Sequence, residues 1–138
     1  VAGFTPIKVF LMTNISFQHA IILFAHGSRD ALWRRPIEAV ANQMKQLSPD
    51  TQVACAYLEL TEPDLPTTVA GLVQTGVNAI RIVPMFLGVG RHAREDLPLL
   101  LQDLIIQHPG VTFELRNAIG EEPELTRAMA AIALKSNP

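Results

Sequence analysis

The sequence predicts an α/β fold: a single small domain built on a four-stranded parallel sheet with helices on both faces. Two periodicities point to it. From about residue 19, short apolar runs rich in β-branched residues alternate with longer stretches whose apolar residues recur every three or four positions. Length points the same way, since 138 residues with 49% hydrophobic and 17% charged content suit one ordinary core that needs no disulfide or metal staple.

The first strand is expected at residues 20–25, a continuous apolar run suited to burial on both faces, and it ends at His26-Gly27-Ser28. Residues 30–47 follow as one amphipathic helix, with Leu32, Trp33, Ile37, Val40, Ala41, Met44 and Leu47 as its apolar stripe. The second strand spans 52–58. A polar, proline-bearing loop covers 59–64, and a short helix runs over 65–74 with Gly76 near its C-terminal cap. The third strand covers 79–86, where Pro84 removes one ladder donor and marks a strand end or irregularity. After the loop 87–92 a long helix is expected over 94–107, with Pro98 tolerable only because it falls near the first turn. A fourth strand at 111–115 and a last helix at 124–134 complete the pattern. That alternation implies a parallel sheet with right-handed crossovers, and ligands of such sheets bind outside the carboxyl ends of the strands.

Charge and composition exclude several classes. Eleven Lys and Arg against thirteen Asp and Glu leave a net charge of −2, with no electrostatic footprint for nucleic acid or an anionic membrane. No apolar run approaches the ~20 residues of a transmembrane helix. Cys55 is the single cysteine, which rules out an intramolecular disulfide framework and a cysteine-cluster zinc site and fits a reducing, cytoplasmic setting. The first residues lack the pattern of a secretory signal, and Met12 is a plausible start. Residues 1–19 are therefore expected to be an N-terminal extension or added segment, and 20–138 the functional domain.

The loops at the strand ends hold the residues suited to chemistry: His26 after the first strand, Glu59 and Glu62 after the second, Arg91 and His92 after the third. Glu121 and Glu122 follow the fourth. Two imidazoles and a carboxylate at one edge suit a divalent first-row metal, and imidazole also moves protons near neutral pH. His26 directly follows a buried strand and precedes a turn that presents side chains, whereas His19 and His108 read as ordinary surface residues. Spacing leaves His92 open between ligand and loop residue, and Glu62 before Pro63 fits a solvated loop position. Arg29, Arg91 and Arg94 suit a polycarboxylate ligand, while Arg34 and Arg35 fit a salt-bridged helix face. Cys55 reads as a small buried hydrophobe.

Other chemistries fit less well. Gly88-Val89-Gly90-Arg91-His92-Ala93 matches a dinucleotide fingerprint, but it follows the third strand where that fingerprint belongs to the first βα turn. Its glycines either let the loop turn or let backbone approach a flat ligand. Ser28 has no nucleophile-elbow glycines around it, and Ala25 stands where a phosphate-transferring histidine would want an arginine.

Taken together, Phe24-Ala25-His26-Gly27-Ser28-Arg29, Tyr57-Leu58-Glu59-Leu60-Thr61-Glu62-Pro63, Val83-Pro84-Met85-Phe86-Leu87 with Gly90-Arg91-His92, and Glu95-Asp96-Leu97-Pro98 resemble the short CbiX proteins of the sirohydrochlorin chelatase family. The resemblance covers residues 20 to 134. It implies ATP-independent insertion of cobalt, nickel or iron into sirohydrochlorin or a related tetrapyrrole, in cobalamin or sirohaem biosynthesis. It implies His26 as catalytic proton acceptor and metal ligand, His92 as second metal ligand, and Glu62, Leu87, Gly88, Val89, Gly90 and Arg91 as the substrate-binding residues. No tightly bound cofactor is expected, the divalent metal being a substrate, and a homodimer is implied. The alternative is a noncatalytic carrier of metal or tetrapyrrole using the same histidines.

Overall fold

The computed structural model describes residues 18–137. Most of the expected N-terminal extension therefore lies outside the described residues. Four strands, β1 (His19–Ala25), β2 (Gln52–Tyr57), β3 (Ala79–Pro84) and β4 (Thr112–Leu115), alternate with helices α1 (Arg35–Leu47), α2 (Leu65–Gln74), α3 (Arg91–Gln107) and α4 (Pro123–Leu134). Every strand pair is parallel, in the order β2-β1-β3-β4. The chain leaves β1 on one side to make β2 and returns on the other to make β3. The order thus reverses between β1 and β3, and a crevice opens at their carboxyl ends.

Pairing on both sides is why β1 could be read from its apolar run. Ile22, Phe24, Ile80 and Ile82 on one face of the sheet meet Leu65 and Val69 of α2 and Leu97 and Leu104 of α3, forming the buried core. On the opposite face Ile21, Leu23, Val83 and Met85 floor a groove walled by Val40 and Met44 of α1 and by Leu125 and Ala128 of α4. Helices do cover both faces, but unequally. Ala41 is the sole buried residue of α1, and α4 has none.

Two prolines reshape the expected helices. Pro36 lacks an N–H and belongs in a first turn, so the expected helix over 30–47 divides into a 3-10 turn at Ala31–Arg34 and α1. Asp30 caps that turn by accepting from the Leu32 amide at 3.0 Å. Much of the expected stripe is solvated, with Leu32 58% and Leu47 82% exposed. The helix expected from residue 94 begins at Arg91, because Gly90 adopts an extended conformation and serves as its N-cap. Pro98 consequently sits inside α3, beyond the first turn, correcting the sequence expectation. An interior proline costs about 3 kcal/mol, which burial of Leu97 and Leu104 at about 1.5–3 kcal/mol each offsets. β3 ends at Pro84, two residues early, yet the Met85 amide still donates to the Phe24 carbonyl at 2.7 Å and carries the chain on toward Phe86.

Candidate functional site

The first two loops at the switch point are joined through backbone. Past the ends of β1 and β2, the Leu58 amide donates to the Ala25 carbonyl at 2.9 Å and the Glu59 amide to the His26 carbonyl at 3.0 Å. Gly27 follows with φ +102°, and a Cβ there would stand 1.7 Å from the Glu59 carbonyl oxygen. Only glycine permits both that backbone angle and that approach. His26 and Glu59 are thereby held on neighbouring loops at one edge.

The third loop is fixed from below. Phe86 is 4% exposed and packs edge-on against Phe24, with ring centroids 6.3 Å apart. The His26 imidazole lies over Phe86 at a centroid distance of 4.3 Å and a tilt of 32°. A buried aromatic thus sets the plane of the imidazole. Gly120 donates its amide to the Phe86 carbonyl at 2.9 Å, and a Cβ at Gly120 would come 2.0 Å from the Leu87 carbonyl oxygen. That close approach anchors the start of loop 87–90. By contrast, a Cβ on Gly88 or Gly90 would meet open space, so packing within the chain requires neither glycine.

His26, Glu59, Arg91 and His92 share a cavity of 560 Å³ whose apolar lining includes Phe24, Phe86, Leu97 and Leu100. Its remaining polar lining is Asp96, one helical turn after His92, and Asp103. His92, expected in a loop, stands in the first turn of α3. Arg91 bonds Glu95 at 3.2 Å on the solvent side, a pair with 83% and 61% exposed side chains that contributes little and leaves the guanidinium available. Arg29 and Arg94 are exposed and make no ion pair among the described residues. Arg34 pairs with Glu38 at 2.9 Å, the helix-face role expected for it.

The structure separates the two candidate glutamates. Glu59 lines both the histidine cavity and a neighbouring one of 570 Å³, whereas Glu62, with Pro63, Asp64 and Thr67, lines only the neighbouring one. Between the two glutamates the chain turns back at Leu60, whose φ is +64°. The signal in the sequence was proximity, since Glu59 lies two residues beyond β2 and Glu62 lies past the reversal. Gly90 lines the cavity, Leu87 and Gly88 are exposed in the same loop, and Val89 is partly buried and packs against the core. Among the described residues no three His, Cys, Asp or Glu side chains are gathered as a ready-made metal cage. Cys55 is half-buried in β2, and burial pushes its thiol up, with Glu38 adding to the effect, which disfavours the thiolate.

Fold and site define a class: a parallel α/β domain that presents imidazole and carboxylate side chains over an apolar cavity at its topological switch point. The chain belongs to the CbiX family, whose model matches residues 20–134. It is 33% identical over 82 residues to the sirohydrochlorin cobaltochelatase of Methanopyrus kandleri, a match covering 59% of this chain and 57% of that protein. The chain thus spans little more than half the length of such curated relatives. It is 29% identical over 100 residues to the chloroplastic sirohydrochlorin ferrochelatase of Arabidopsis thaliana, covering 72% of this chain and 44% of the other. Among solved structures, the CbiX protein of Marinobacter aquaeolei VT8 superposes with a TM-score of 0.75 at 40% identity, over 84% of this chain and 94% of that one. SirB, the sirohydrochlorin chelatase of Bacillus subtilis subspecies spizizenii in complex with cobalt, gives 0.72 at 25% identity, over 83% of this chain and 49% of that one.

Proposed function

We propose that this protein inserts a divalent metal, Co²⁺, Ni²⁺ or Fe²⁺, into sirohydrochlorin or a related tetrapyrrole without ATP. The observation that carries the reading is the shared cavity of His26, Glu59 and His92. Insertion exchanges two pyrrole protons for one M²⁺, so the site must hold a cation and accept protons. His26 and His92 offer neutral nitrogen lone pairs to the metal. As the metal passes to the ring nitrogens, the freed His26 lone pair takes one pyrrole proton and the Glu59 carboxylate takes the other. Macrocycle carboxylates find Arg91 in the cavity lining, with the exposed Arg29 on the His26 loop and Arg94 on α3 as further partners. The open space over Gly88 and Gly90 lets a flat ring lie against backbone.

Two further parts of the reading are a cytoplasmic setting and association as a homodimer. The apolar groove between α1 and α4 supports the second, as do Ile132 and Leu134 of α4, 63% and 86% exposed. The function is tested by mixing the protein anaerobically with sirohydrochlorin and excess Co²⁺, Ni²⁺ or Fe²⁺ and following the visible spectrum. Many metallated rings per protein, above a protein-free blank, are expected. One ring bound per protein at the blank rate would instead mean a carrier.

A further inference from the structure

Beyond the last strand pair, a side chain that faces neither histidine ties the first two loops together. The Thr61 hydroxyl donates to the Ser28 carbonyl at 2.7 Å and accepts from the Ser28 amide at 2.9 Å. One hydroxyl therefore satisfies both backbone groups of a residue two positions after His26. On its other side the Thr61 amide donates to the Glu59 carbonyl at 2.8 Å, closing a three-residue turn around Leu60 at φ +64°. Such γ-turns are rare and costly for a residue with a Cβ. Packing of Leu60 does not repay that cost, since its side chain is 55% exposed. What the turn accomplishes is to keep Glu62 out of the histidine cavity: Glu59 lines that cavity and the next, and Glu62, three residues on, lines only the next. Strained backbone that surrounding contacts over-determine is characteristic of functional placement.

We propose that Thr61 is a positioning residue for metal insertion: its hydroxyl locks the 59–62 loop onto the His26 loop and so holds the Glu59 carboxylate beside His26. Thr61 touches neither metal nor tetrapyrrole and acts through Glu59 and His26. The inference rests on the reading of this cavity as the insertion site.

Thr61→Val removes both hydrogen bonds with little change of shape, and Thr61→Ser keeps the hydroxyl. Both are assayed with sirohydrochlorin and Co²⁺ beside wild type and His26→Ala, after circular dichroism confirms folding at the assay temperature. Thr61→Val is expected to lower kcat about 10- to 100-fold, the effect of displacing a catalytic group by an ångström or less, with KM for the tetrapyrrole within about twofold. Thr61→Ser is expected to restore kcat to within about threefold of wild type. Where Thr61→Val melts below the assay temperature, Thr61→Ala is judged by the same standard. Wild-type kcat in the hydroxyl-free variant, or a Thr61→Ser enzyme as slow as it, overturns the proposal while an inactive His26→Ala leaves the insertion site standing. Full turnover by His26→Ala overturns the reading of the site, and the role of Thr61 with it.

Discussion

Replacing Gly27 by alanine tests the joint between the first two loops. An added Cβ would stand 1.7 Å from the Glu59 carbonyl oxygen, and real Cβ contacts do not fall below 3.0 Å, so the two loops must part by 3.0 − 1.7 = 1.3 Å. The φ of +102° adds backbone strain of about 1–3 kcal/mol for a residue with a Cβ. Separation also breaks the bond from the Glu59 amide to the His26 carbonyl, a further ~0.5–1.5 kcal/mol. Together these predict a loss of roughly 2–4 kcal/mol, lowering Tm by roughly 6–20 °C for a domain of this size. A shift of that length between His26 and Glu59 should also slow insertion by about 100-fold. Thermal melting by circular dichroism and initial rates of metallation at 15 °C, below the lowered transition, separate the two effects. A Gly27→Ala protein that melts within about 1 °C of wild type and turns over at its rate would refute the loop geometry described above.

Glu59→Gln should reduce turnover about 100-fold while Glu62→Gln stays within about threefold, because of the two only Glu59 lines the histidine cavity; the opposite ranking in steady-state assays would contradict the proton-accepting role given to Glu59. Asp64 caps α2, and hydrogen bonds from the Thr67 hydroxyl and amide hold its carboxyl below the ordinary 3.8. A lowered folded-state pKa contributes stability above the unfolded value and loses it as pH falls through the folded one. Asp64→Ala should therefore cost about 1 kcal/mol in urea unfolding at pH 7, with a difference from wild type that shrinks below pH 4; a difference that widens on acidification would contradict this.

How much was legible in the sequence depended on how local the cause was. β1 could be read because a strand paired on both sides must be apolar throughout, and the parallel sheet followed from the alternation of elements. His26 could be placed because it follows that strand directly. The start of α3 could not be seen, since Gly90 caps it through backbone conformation alone and no capping side chain announces it. Pro98 misled for the same reason: its position relative to the first turn depends on where the helix begins. The choice between Glu59 and Glu62 hinges on a reversal at Leu60, a residue type that carries no turn signal. The partial burial of Val89 against the core could not be read either, because it is a tertiary contact.

The most direct test uses the four histidines of the chain. Nitrogen-15 NMR of histidine-labelled protein, titrated with Co²⁺, should shift or broaden the imidazole signals of His26 and His92 and leave those of His19 and His108 sharp. Paramagnetic effects confined to His19 or His108, or none at equimolar Co²⁺, would contradict the assignment of this cavity as the site from which the metal is delivered.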